Sequence, residues 1–219
     1  MKRLSAGLVG FIALSGVAHA QAPVAVVEDV QGKVTGAEFM DYVVPGQVIK
    51  LGAGGVVVLG YMKSCWHETI SGIGTVIVGT EQSAVHLADF KANKVPCDPD
   101  QSAKVGKEVG ESAATVVRSL KEEKPADPPP LMLHGTEPML VTHERGKMIV
   151  ERVDVKGERY EVDVTPTRGK FFDFAKTKIA LKPGGAYSLT LNSKYTTFVV
   201  DPKASPGASP VIGRLVMLQ

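Results

Sequence analysis

The chain predicts an all-β protein: an exported molecule with two β-rich units joined by a linker. Three observations carry this reading. Valine- and isoleucine-rich runs of roughly four to eight residues recur, broken by Gly or Pro every ten residues or so. No amphipathic helix of useful length appears among residues 21–97. An export signal stands at the start, with two cysteines behind it.

Residues 1–20, MKRLSAGLVGFIALSGVAHA, read as a cleaved signal peptide. Lys2 and Arg3 give the basic start, Leu8 to Leu14 the apolar stretch, and Ala18-His19-Ala20 the small-residue cleavage pattern. That apolar stretch is too short for a membrane span, which needs ~20 residues. No later segment is apolar enough either, so no membrane span is expected. The mature chain is expected to start near Gln21 and to be periplasmic or secreted.

Residues 21–97 form the first β-unit. APVAVVEDVQGKVTG reads as two short strands meeting near Gln31-Gly32. MDYVVPGQVIKLGAGGVVVLGYMKS gives three strands, with turns at Pro45-Gly46 and Gly52 to Gly55, and HETISGIGTVIVGTEQSAVHLADF continues the pattern. The glycines of GAGG and SGIG are expected in hairpin turns, because no helix follows to supply an anion-binding terminus. Cys65 and Cys97 read as a disulfide, as an even count in an exported chain implies. Closing a loop of about thirty residues stabilises by roughly 3–4 kcal/mol in the chain-entropy model. The alternative, a reactive Cys65 thiol, needs a base and a compartment that spares it.

Residues 98–130 change character. They are polar, charged and end in PADPPP, which predicts a linker containing a short helix or an edge strand. Residues 131–219 return to strands, with turns at Arg145-Gly146 and Lys156-Gly157. Within them LKPGGAY, followed by alternating SLTLNSKYTTFVV, has the spacing of a tyrosine corner formed by Leu181, Pro183 and Tyr187. Such a corner bonds a Tyr hydroxyl to backbone a few residues upstream in immunoglobulin-like sandwiches.

Charge excludes one class of partner. Lys2 and Arg3 leave with the signal, so the formal net charge of +2 falls to near zero, and no basic stripe marks a nucleic-acid binder. The halves differ: residues 21–97 carry five Lys against seven acids, residues 131–219 thirteen basic against nine acidic residues. This complementarity leaves open whether the two units dock.

The stretch YMKSCWHETISGIG gathers the chain's chemically loaded residues. His67-Glu68 is not a zinc-protease motif, because Ser71 stands where the second His belongs. On a strand Cys65, His67 and Thr69 share one face and Trp66, Glu68 and Ile70 the other, with Cys65 and His67 about 7 Å apart. A metal shared with His86 or His134 would need ligands gathered from distant segments, so no metal and no cofactor is expected; His143 likewise has no partner spacing. No G-x-S-x-G nucleophile elbow exists. Glu68 with Glu81 or Asp89 keeps a carboxylate hydrolase formally open. Trp66 is expected in the core; exposed, it would join Tyr61, His67 and Glu68 in a binding surface.

Residues 24–95 resemble the FecR-like periplasmic domain, in the glycine-and-hydrophobe pattern from Val43 to Ser83. The chain is similar to exported proteobacterial proteins that share Ser64-Cys65, Glu68-Thr69-Ile70, Gly72, Gly74-Thr75-Val76, Val78-Gly79, Glu81-Gln82-Ser83 and Cys97. Pro206-Gly207, Pro210 and Gly213-Arg214-Leu215 extend the likeness. The resemblance implies a β-rich periplasmic module, with relay to transporters in the best-known members, and brings no catalytic residue. The expected function is therefore non-enzymatic binding or scaffolding of an envelope protein or peptidoglycan. The alternatives are a carboxylate-based envelope hydrolase and a soluble sensory partner of an outer-membrane transporter.

Overall fold

The computed structural model describes residues 21–99, 131–167 and 170–218. The expected signal peptide and nearly all of the expected linker lie outside them. Within them the chain is all-β, and no helix is long and apolar enough to cross a membrane.

Nine strands build the N-terminal half: β1 (Ala25–Gln31), β2 (Val34–Thr35), β3 (Tyr42–Val43), β4 (Val48–Leu51), β5 (Val56–Tyr61), β6 (Trp66–Ser71), β7 (Gly74–Ile77), β8 (Ala84–His86) and β9 (Asp89–Lys94). They form two antiparallel sheets, ordered β3-β1-β5-β6-β9 and β2-β4-β7-β8. Between them Val27, Val43, Ile49, Leu59, Ile70 and Val76 are buried in one core. Alternation explains which residues enter it: Ala25, Val27, Val57, Leu59 and Ile70 point inward, and their neighbours point away. A bulge between Val27 and Asp29 breaks this rhythm in β1 and keeps both Glu28 and Asp29 out of the core.

The glycine motifs are not hairpins. GAGG joins β4 to β5 and SGIG joins β6 to β7, and each pair lies in different sheets. The chain turns over the sandwich end at four places, after β1, β4, β6 and β8, and the four corners stand side by side. A Cβ on Gly32 would lie 2.0 Å from the Gly54 carbonyl oxygen, Gly72 N–H donates to the Gly55 carbonyl, and a Cβ on Gly74 would lie 2.3 Å from the His86 carbonyl oxygen. Backbones this close leave no room for side chains, hence the glycines.

The C-terminal half contains β10 (Leu131–Gly135), β11 (Met139–Val141), β12 (Gly146–Arg152), β13 (Arg159–Val164), β14 (Phe171–Asp173), β15 (Ala186–Leu191), β16 (Lys194–Ser205) and β17 (Leu215–Met217). A five-stranded sheet, β10-β16-β15-β12-β13, faces a three-stranded sheet, β14-β11-β17. The pairs β10–β16 and β11–β17 are parallel and the rest antiparallel. Leu133, Leu140, Phe174, Tyr187, Phe198 and Val216 are among the core residues between them.

The halves dock, which the charge pattern had left open. Val26, Met40 and Met62 from one half pack with Met139, Phe171, Val211, Ile212 and Leu215 from the other. The small sheet is thus covered on both faces: Leu140 and Val216 enter the C-terminal core, Met139 and Leu215 the seam. That explains why LVML near the end is apolar without alternation. The result is four stacked sheets with three cores between them.

Candidate functional site

The stretch around Cys65 resolves into a wiring of residues onto one another. Cys65 and Cys97 form a disulfide, with Cα atoms 5.8 Å apart. Ser64 Oγ donates to the Glu81 carbonyl at 2.6 Å. Glu68 is fully buried, and its Oε1 accepts the Ser83 N–H at 3.0 Å. The fully buried Tyr61 shares a hydrogen bond with Ser83 Oγ at 2.9 Å and accepts the Gly79 N–H at 3.2 Å. Burial raises the Glu68 carboxyl above its ordinary range, and pushes the Tyr61 hydroxyl up to about 12. Glu68 Oε2 has no protein partner.

Trp66 lies half-buried against the N-terminal core, with Lys94 Nζ 5.0 Å above its ring from the neighbouring strand. His67 points the opposite way, as alternation requires. Tyr61, Trp66, His67 and Glu68 therefore do not share one surface. Glu68 is also shut away from solvent, so it opens no cleft with Glu81 or Asp89.

His67 reaches the seam instead. Its Nε2 lies 3.3 Å from Glu28 Oε2 and 3.3 Å from Ser209 Oγ. Ser, His and Glu in contact invite comparison with a catalytic triad, but there the serine and the acid engage opposite ring nitrogens. Here both face the same one. The Glu28 carboxylate also accepts the N–H groups of Val211, at 2.8 Å, and Ile212, at 3.1 Å. It holds the 3-10 turn Val211–Gly213 onto the N-terminal half. Next to it, buried Arg214 donates to the Glu137 and Ala208 carbonyls and pairs with Asp173 at 3.1 Å.

A second polar cluster lies at the β12–β13 turn. Arg152 forks onto Asp154 at 2.8 and 2.9 Å and reaches Glu158 at 3.3 Å. Glu158 also accepts the hydroxyls of Tyr187, at 2.7 Å, and Tyr160, at 3.1 Å. Tyr187 in turn accepts the Lys182 N–H at 2.8 Å, five residues upstream. Leu181 is buried in the same core; Pro183 is exposed in the turn before β15. Arg152 pulls Asp154 down to about 2. Burial pushes Glu158 up, but its hydrogen bonds outweigh that and hold it below the carboxylate range. Burial and the Glu158 partner push the Tyr187 hydroxyl up to about 12.

Among the described residues no group of three His, Cys, Asp or Glu is placed to hold a metal. His86 is exposed on β8, and His134 pairs with Asp201 at 3.0 Å. The sequence assigns no role to Glu28 or Leu87, and Arg214 enters only through the resemblance. Glu28 and Arg214 had a signal, a charge interrupting an apolar run in AVVEDV and in VIGRLVML. Leu87 had none. It caps the fourth corner, 96% exposed at φ 67°, with Ile73 on the neighbouring corner 65% exposed. No family model, no curated protein and no solved structure matches the chain.

Proposed function

We propose that the chain is a non-enzymatic binding or scaffolding module of the bacterial periplasm, and that it recognises an envelope protein through the ridge of corners. A FecR-like unit docked on an immunoglobulin-like sandwich, the latter carrying a tyrosine corner at Tyr187, describes it best. The disulfide supports an oxidising compartment.

One observation carries the reading. Leu87 is almost fully exposed and sits in the left-handed region, which costs an L-residue roughly 1–2 kcal/mol. It gives the core nothing in return, and strain without structural benefit points to a surface kept for recognition. The groups with most chemical potential are meanwhile engaged internally: Cys65 with Cys97, Glu68 with Ser83, His67 with Glu28.

The test is Leu87→Gly. Glycine accepts the backbone conformation, so the variant is expected to be as stable as the parent, or more stable by up to roughly 1 kcal/mol, in thermal unfolding. A photo-crosslinker at Ile73 in intact envelopes is expected to trap a protein partner, and Leu87→Gly to abolish that product. Unchanged trapping in the variant overturns the reading, as does a crosslink to peptidoglycan alone. Turnover of envelope glycan lost in Glu68→Gln would favour the hydrolase.

A further inference from the structure

The geometry points to a second site, at the β12–β13 turn: a pocket for a phosphate-type oxyanion, free or esterified. It goes beyond the scaffold reading and does not depend on it.

An open pocket of about 360 Å³ lies there, lined by Arg152, Lys156, Arg159 and Lys182 together with Glu158 and Tyr160. Its volume lies within the range of small-ligand sites, roughly 300–1,000 Å³. The balance of charge decides what it prefers. In the lining itself four cations stand against one carboxylate, Glu158, whereas Asp154 behind Arg152 and Glu151 and Glu161 beside Arg159 bring the wider surroundings to balance.

The two inner carboxylates are spent. Asp154 takes both prongs of Arg152 and the Ala186 N–H, and Glu158 takes Arg152, Tyr160, Tyr187 and Lys182. These bonds hold Arg152 rigidly at the back. The outer cations are free to act. Lys156 has no ion-pair partner among the described residues, and Arg159 meets Glu161 at only 3.4 Å with both side chains half exposed. Lys182 touches Glu158 at 3.4 Å with 67% of its side chain in solvent. Such exposed pairs contribute little and exchange readily for a stronger oxyanion. The Arg159 guanidinium with the neighbouring Lys156 and Lys182 ammonium groups suits phosphate oxygens.

The full-length mature protein, titrated with inorganic phosphate and with glucose 1-phosphate at low salt, tests this by calorimetry. Saturable binding is expected, weakening as salt rises. The double variant Lys156→Glu/Arg159→Glu removes two exposed cations, so the fold should hold and affinity should fall about tenfold or more. The charge-matched control Lys50→Glu/Lys91→Glu, on the other half, should leave binding intact. Glucose 1-phosphate binding more tightly than inorganic phosphate assigns the esterified anion; equal or weaker binding assigns the free one. No saturable binding, no loss in the double variant, or equal loss in the control overturns the inference.

Discussion

A glutamate between Trp-His and Thr-Ile looks reactive on paper, yet Glu68 is a buried acid with one oxygen unpartnered. Burial raises its folded-state pKa above the unfolded value. Its contribution is therefore fully favourable below the unfolded value near 4.5, and is lost as pH rises through the folded one. Glu68→Gln keeps an acceptor for Ser83 N–H and removes the titration. The variant is expected to match or exceed the parent in melting temperature at pH 8, with the difference shrinking towards pH 4. Identical pH slopes in the two proteins would refute this account. Arg214 shows the reverse: a buried charge given two carbonyls and a carboxylate as partners, although its Nε stays unpartnered.

At the scale of elements, the turn LKPGGAY shows how far a local pattern reaches. Its spacing predicts that Tyr187 bonds upstream backbone, and the Lys182 N–H donates to the Tyr187 hydroxyl. The second bond, to Glu158 on another turn, has no local signature, because the two residues stand 29 apart in sequence. Tyr187→Phe leaves the Lys182 N–H without its acceptor, and destabilisation of about 1–3 kcal/mol is expected in chemical denaturation. A midpoint unchanged from the parent would mean that water replaces the hydroxyl at no cost. The glycine corners teach a related lesson. GAGG and SGIG announce turns, but a turn within one sheet and a turn between two use the same residues. The difference lies in which strands pair afterwards.

For the whole molecule the seam is the decisive feature. Glu28 accepts two backbone N–H groups from the far end of the chain, and Gly60 makes room for the contact: a Cβ there would lie 2.2 Å from Glu28 Oε1 and 2.7 Å from Ile212 Cγ2. Likewise, a Cβ on Gly213 would lie 2.8 Å from the Pro96 carbonyl oxygen. With an apolar core around these contacts, the two halves are expected to unfold in a single calorimetric transition. Glu28→Ala leaves two buried N–H groups unsatisfied, at about 1–3 kcal/mol each, and should lower that transition or split it in two. Two well-separated transitions in the parent protein would show that the seam does not couple the halves.

The sequence by itself determined the β-class, the strand runs, the disulfide partners and the division of β6 into two faces, though not which face is buried. Each follows from alternation, from glycine and proline punctuation, or from there being one way to pair two cysteines. Only the tertiary structure decided that the halves stack into four layers, that Glu28 clasps the C-terminal turn, and that Leu87 stands exposed. Those facts depend on which strands meet across long stretches of chain, and local periodicity is the same whichever partner a strand finds.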